Sequence, residues 1–257
     1  MRTLHLFAGA GGGILADLLL GHTTVCAVER DSYCRQVLLE RQQEGTLPEF
    51  PIYDDIRTFE SLSWHGRVDI VAGGFPCQPW SCAGKRLGTG DARYLWPEMA
   101  RVIAAVRPSL VFAENVSLRA FEQPLDDLRR LGYRVPPALC LRARDVGAPH
   151  RRTRWWMLAA DADRGRLEKL RQPLPPRIEG SPRNEPDRHR EAGQGEVAAR
   201  GRYAAAARAG WWTTEPDVGR VAHGVASRVD RLRALGNGQV PLCAASAFRI
   251  LMQLHYS

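Results

Sequence analysis

Thr3-Leu4-His5-Leu6-Phe7-Ala8-Gly9-Ala10-Gly11-Gly12-Gly13 opens the chain as a short apolar run that passes directly into a cluster of glycines. Thr3 to Ala8 reads as a buried strand, and Gly13 to Leu20 as the helix that follows it. Working outward, Thr23 to Val28 is a second strand, and Ser32 to about Arg41 a second helix with Asp31 as its N-cap. Ile52 to Ile56 and Val68 to Ala72 are further short strands. Tyr94 to Val106 has helical spacing, Arg107-Pro108 ends it, and Ser109 to Ala113 is another strand. Arg134 to Arg142 and Thr153 to Ala159 complete the sheet, and an amphipathic helix from Val240 to Leu254 returns to cover it, with Cys243, Ala247, Ile250, Leu251 and Leu254 on one face. Alternation of this kind predicts an α/β fold, a mostly parallel sheet covered by helices.

At 257 residues the chain is long enough for one large domain with a minor appendage. Lys and Arg number 36 against 28 Asp and Glu, for a net charge of +8, and Lys85 and Lys169 are the only lysines. A polyanionic partner fits this balance, since arginine makes bidentate contacts to phosphate; a host-wide bias toward arginine would give the same count. The six cysteines form no CxxC pair and no His/Cys cluster with zinc spacing, so reduced thiols in a cytosol and no metal are expected. The longest apolar run, Ile14 to Leu20, is too short to span a bilayer and contains Asp17. The chain opens directly on its first strand, and no signal peptide is expected. From about Asp161 to Gly210 the composition shifts to Arg, Pro, Gly and Glu with few large apolar residues, which suits either a flexible insertion or a small substrate-facing module.

Glycines between a first strand and a first helix stand where nucleotide-like cofactors meet an α/β sheet. The loop lacks the Gly-Lys-Ser/Thr ending of a phosphate loop. Glu29, at the end of the second strand, is placed to accept hydrogen bonds from two ribose hydroxyls, and Asp54-Asp55-Ile56 to read an adenine edge; NAD is one ligand such a set would take. Gly74-Phe75-Pro76-Cys77-Gln78-Pro79-Trp80-Ser81 delivers one cysteine from a strand end into a turn stiffened by two prolines. That is the presentation of a nucleophile, and also a place where a cysteine can serve as a small apolar side chain. Glu114-Asn115-Val116 follows the strand from Ser109, so its carboxylate should emerge at the same sheet edge as Cys77. His150-Arg151-Arg152-Thr153-Arg154 puts Arg152 and Arg154 on one face of a strand, where they suit a phosphate or a carboxylate.

In this order the motifs are similar to those of the DNA cytosine C5 methyltransferases, particularly their compact phage or prophage-like members. FAGAGG, Glu29, Asp55-Ile56, FPCQPWS, ENV, HRRTR and LGNGQVP run from near the first residue to near the last, leaving Asp161 to Gly210 uncovered. The resemblance implies a Rossmann-like, S-adenosylmethionine-dependent sheet with helices on both faces, residues 1–160 and 228–257, and a small irregular recognition region, residues 161–227. It implies Phe7 stacked on adenine, Gly9 and Gly11 near the methionine part, Glu29 on the ribose, Asp55 and Ile56 at the adenine edge, Pro76 and Leu95 lining the pocket, and Asn237 closing it. Cys77 would add to C6 of a cytosine taken out of the duplex, Glu114 would assist at N3, and Arg154 would lie near O2 with Arg152 as its companion. Ser81, Lys85 and Arg86 would belong to a segment closing on DNA phosphates. Double-stranded DNA is then the expected partner of a monomer in a bacterial or phage-infected cytoplasm, within a restriction-modification setting. A transfer-RNA cytosine methyltransferase of the same fold and a silent DNA-binding homologue are the alternative readings. His150 stands where the family usually has glutamine, Gln239 where a small apolar residue is commoner, and Gly219 to Arg233 is the candidate for a shortened support of the recognition region.

Overall fold

The computed structural model describes residues 1–76, 94–163 and 227–256. Eight strands form one sheet: β1 (Arg2–Leu6), β2 (Thr23–Val28), β3 (Ile52–Tyr53), β4 (Ile70–Gly73), β5 (Leu110–Asn115), β6 (Tyr133–Arg134), β7 (Leu139–Arg142) and β8 (Thr153–Asp161). Their order is β3-β2-β1-β4-β5-β8-β6, with β7 also paired to β8. β3 through β5 are mutually parallel, and β8 runs antiparallel to β5, β6 and β7. The chain builds outward from β1 to β3 and then returns to place β4 on the other side of β1. A crevice opens at such a reversal, outside the carboxyl ends of β1 and β4.

Period-two alternation divides the strands between two cores. Leu4 and Leu6 of β1, Val71 of β4, and Val111 and Ala113 of β5 face α3 (Trp96–Val106) and α4 (Glu122–Arg130). Ile70 and Ala72, with Leu110 and Phe112, face the opposite layer of α1 (Gly12–Leu20) and α6 (Pro241–Tyr256). Phe112 stacks on Trp156 and meets Phe248 of α6 edge-on, both at 5.4 Å between ring centroids. The remaining α-helices among the described residues are α2 (Ser32–Gln43), where Asp31 caps the Cys34 N–H as its position in the sequence predicts, and α5 (Arg228–Asn237).

Several expectations change. The third strand stops at Tyr53 because Asp55 closes a turn, its carboxylate accepting from the Arg57 N–H. The fifth strand extends through Glu114 and Asn115, which are therefore buried inside the sheet rather than on a loop beyond it. The segment from Arg134 to Arg142 divides into β6 and β7 around Pro136-Pro137, which cannot donate to a ladder. On α6, Cys243, Ala247 and Leu251 are buried as predicted, but Leu254 is exposed and Phe248 and Met252 take the core positions instead. The sequence reading passed over α4 and α5; α4 is tied down by Trp96 Nε1 donating to Asp127 at 2.8 Å and the Tyr94 hydroxyl donating to Gln123 at 3.0 Å.

Behind the sheet, between β1, β2, α1 and α6, lies a buried polar unit. Asp17 Oδ2 accepts from Thr24 Oγ1 at 2.9 Å and meets His5 Nε2 at 2.8 Å, and His22 Nδ1 stands 3.5 Å from Oδ1. Burial alone would raise the Asp17 pKa, but attraction and hydrogen bonds from His5 and His22 outweigh it and hold the carboxyl well below the usual carboxylate range. A depressed folded pKa adds stability above the unfolded value, about 3.9, and that stability is lost as pH falls through the range below it. Asp17→Asn, which presents an N–H to existing donors, is expected to lower unfolding free energy at pH 7 by roughly 2–3 kcal/mol. In urea titrations the gap to the wild type should close as the pH is taken below 4.

Candidate active site and cofactor cleft

Parallel register brings the ends of β1, β2, β4 and β5 to one edge. β1 ends at Leu6, paired with Val28 on one side and Gly73 on the other, and Gly73 pairs with Ala113. The residues that follow, Phe7, Glu29, Gly74 and Glu114, are therefore neighbours although more than a hundred positions separate the first from the last. They border a cleft of about 810 Å³.

On its β1–β2 side the backbone turns sharply. Phe7 has φ 55, a left-handed conformation that L side chains rarely adopt and that is kept only where the surroundings enforce it. The Ala8 N–H donates to Val28 at 3.2 Å, and the Gly9 N–H donates to Glu29 Oε2 at 2.6 Å. The Asp31 N–H donates to Glu29 Oε1 at 2.7 Å. The Glu29 carboxylate is thus held by one donor on each oxygen, which leaves each oxygen a lone pair for a ligand. Nothing lies within 4 Å of where a Gly9 side chain would begin, so the backbone there is open to close approach.

Phe7, Gly9, Glu29, Pro76, Leu95 and Asn237 all line this cleft. An aromatic ring, open backbone, a two-oxygen acceptor and apolar walls fit a nucleoside joined to an amino acid, the chemistry of S-adenosylmethionine. Gly11, Asp55 and Ile56 do not line it. Gly11, at φ 93, backs onto Leu38 of α2, where a Cβ would stand 2.9 Å from the leucine methyl. Asp55 is engaged by the Arg57 N–H, which lowers its pKa, and Ile56 is buried with its carbonyl accepting from Arg101 at 2.6 Å. Two residues absent from the sequence reading of the site close the rim: Asp31, at the start of α2, and Arg233 of α5 pair at 2.6 Å. The N-cap signature marked Asp31 for another role, and Arg233 carried no motif.

Glu114 and Arg154 line the same cleft. Arg154 Nε lies 2.8 Å from Glu114 Oε1, an ion pair between two largely buried side chains. Desolvation pushes the Glu114 pKa up, against the opposing pull of Arg154, Arg152 and a hydrogen bond from Gln239. Arg152 is turned elsewhere: its Nη2 donates to the carbonyls of Gly236, at 2.9 Å, and Gly238, so it clamps the turn after α5. Asn115 Nδ2 donates to the Phe75 carbonyl at 3.0 Å and so ties β5 to the segment that leads into Cys77. Cys77, Ser81, Lys85 and Arg86 lie outside the described residues.

Among the described residues there is no group of three or more His, Cys, Asp or Glu placed to hold a metal ion, and no helix long and apolar enough to cross a membrane.

The family model described as C-5 cytosine-specific DNA methylase matches residues 1–194 of this chain. Type II methyltransferase M.PspPI of Psychrobacter sp. (strain TA137) is 34% identical over 168 residues, covering 62% of this chain and 39% of the relative. Type II methyltransferase M.NgoBI of Neisseria gonorrhoeae is 35% identical over 165 residues, covering 61% and 50%. The match thus spans half or less of these curated relatives' length. Among solved structures, the S. pombe Dnmt2 methyltransferase shares the fold with a TM-score of 0.60 at 16% identity, over 100% of this chain and 99% of that one. With three quarters of its length matched to the family model and the strand-end cleft described above, the chain belongs to the C-5 cytosine-specific DNA methylases.

Proposed function

We propose that this protein transfers a methyl group from S-adenosylmethionine to C5 of a cytosine in double-stranded DNA, with Cys77 as a transient nucleophile. The observation that carries the reading is Glu114: a buried carboxyl with a raised pKa, paired with Arg154 at 2.8 Å, on the cleft that β4 enters just before Cys77. A carboxyl shifted in this direction keeps its proton to higher pH than an exposed glutamate, which suits it to pass one to a ring nitrogen.

Phe7, Gly9, Glu29, Pro76, Leu95 and Asn237 would hold S-adenosylmethionine, with Gly11, Asp55 and Ile56 shaping the loops around it. When bound there, the cofactor supplies an electrophilic methyl group. The target base leaves the stack, because its C5 and C6 are out of reach inside the duplex. The Cys77 thiolate adds to C6, forming a C–S bond, while Glu114 gives a proton to N3 and Arg154 steadies the carbonyl at O2. This makes C5 nucleophilic. Once the methyl is on C5 and the cofactor's sulfonium has become a thioether, loss of the C5 proton to water, breakage of the C6–S bond and return of the N3 proton to Glu114 restore the C5–C6 double bond and release Cys77 as thiolate. Arg152 supports the site through the Gly236 and Gly238 carbonyls. Ser81, Lys85 and Arg86 contact DNA phosphates, and residues 161–227 read the sequence, with residues 1–160 and 228–257 as the catalytic unit. The protein acts as a monomer in the cytoplasm.

Bisulfite sequencing of plasmid DNA from cells producing this chain is expected to reveal one recurring methylated context. Unmodified plasmid together with methylated transfer RNA would replace the DNA reading by an RNA one, and no methylation of either would point to a silent homologue.

A further inference from the structure

Three glycines, Gly12 and Gly13 at the start of α1 and Gly74 after β4, close around one residue, Gln239. A Cβ on Gly12 would stand 2.2 Å from the Gln239 carbonyl oxygen, and one on Gly13 would stand 2.9 Å from Gln239 Oε1 and 3.2 Å from His5 Nδ1. One on Gly74 would stand 2.7 Å from Glu114 Oε2 and 3.4 Å from Gln239 Nε2. The Gln239 carboxamide therefore runs from the back of the glycine loop to the Glu114 carboxylate with its ends distinguished. Its nitrogen end hydrogen-bonds Glu114, and its oxygen faces Gly13 and the His5 ring. The reverse orientation would set an amide oxygen against a carboxylate. Behind it, with Asp17 held anionic, His5 Nε2 donates a hydrogen bond to Asp17, and the Cε1–Nδ1 edge of the ring lies on the Gly13 side.

We propose that Gln239 is a positioning residue for Glu114: seated in the space left by Gly12, Gly13 and Gly74 and backed by the buried His5–Asp17 pair, it fixes the carboxyl's rotation and keeps Oε1 beside Arg154. The proposal rests on the reading of Glu114 as the group that serves the base. On this view Gly12 and Gly13 serve Gln239, and the cofactor-facing role belongs to the Phe7–Gly9 end of the loop. The charged groups acting on Glu114 are Arg154 and Arg152, and His5 is the titratable group behind Gln239. Loss of the carboxamide removes a donor that favours the ionised carboxyl.

Gln239→Leu keeps the bulk and removes the amide; Gln239→Met, unbranched like glutamine, serves if the first variant fails to fold. The Glu114 carboxyl is followed by carbon-13 NMR in the cofactor-free protein and assigned with Glu114→Gln. Its midpoint is expected to move to higher pH in the variant. In steady-state assays kcat should fall on the order of tenfold, the pH limb set by Glu114 should move in the same direction, and KM for S-adenosylmethionine should stay within about twofold. An unchanged Glu114 midpoint, or a loss confined to cofactor affinity, overturns the proposal. A moved midpoint in a protein whose wild type methylates no DNA supports the contact and counts against the function reading instead.

Discussion

Cys77→Ala is expected to lower methyl transfer to DNA by roughly 10⁴-fold or more while leaving the fold and S-adenosylmethionine affinity unchanged. The loss should fall on kcat, because the proposed mechanism gives the thiolate a part in the bond-making step and none in holding the cofactor. What precedes Cys77 is anchored from two sides: Gly73 pairs with Leu6 and Ala113, and the Phe75 carbonyl is held by Asn115. The anchoring survives removal of the thiol, so positioning of the turn should survive too. A packing cysteine would behave in the opposite way, with Cys77→Ala lowering stability and sparing turnover. Tritium transfer from labelled cofactor, read beside isothermal titration with the same cofactor, distinguishes the two. A duplex with fluorine at C5 of the target cytosine adds a second check. Fluorine cannot leave as the proton does, so the C6–S bond persists and the wild type is trapped as a covalent complex visible by mass. Trapping by Cys77→Ala would contradict the assignment.

Glu114→Gln is expected to lower the transfer rate by about 10²–10⁴-fold, the usual span for loss of a positioned general acid. The substitution preserves shape and removes both the proton and the charge. It also changes stability in a direction that can be worked out. Glu114 titrates above its ordinary value of 4.5 because burial disfavours its charge. Between the unfolded and folded midpoints the native state binds more protons than the unfolded chain, so wild-type stability falls as pH rises through that window. The variant has no such group. Its stability relative to the wild type should therefore increase as the pH is raised from about 4.5 toward neutrality. Urea unfolding across that range measures the slope, and a flat difference would mean that Arg154 and Arg152 cancel the burial.

The sheet was legible because strand patterning is local. Thr3 to Ala8 is a short apolar run that reads as a buried strand without knowledge of a partner, and Thr3, Leu4, His5 and Leu6 are all buried in the structure. A glycine cluster after such a run marks a strand-to-helix turn for the same reason. Motif order then placed Glu29, Cys77 and Glu114 at strand ends, and parallel strands carry their ends to one edge. Helices α4 and α5 were harder to see. Pro124 sits in the first turn of α4, where proline is tolerated but reads as a breaker, and α5 is ten residues long with its apolar Val229, Leu232 and Leu235 exposed among arginines and followed by Gly236.

The amino-acid sequence by itself determined the α/β class, the strand that leads to Cys77 and the acidic residues at successive strand ends, since these depend on periodicity and on residue chemistry within short windows. Which glycines face the cleft and which face protein was decided only in three dimensions. Gly9 opens to the cleft, Gly11 backs onto Leu38, and Gly12 and Gly13 make room for Gln239. Arg152 and Arg154, two residues apart on one predicted face, likewise part company: one clamps the Gly236 and Gly238 carbonyls and the other meets Glu114. The physical reason is common to both cases. A residue's local conformation follows from its neighbours in the chain, whereas its contacts depend on segments distant along it, brought in by the register of β5 with β8 and by the return of the last two helices.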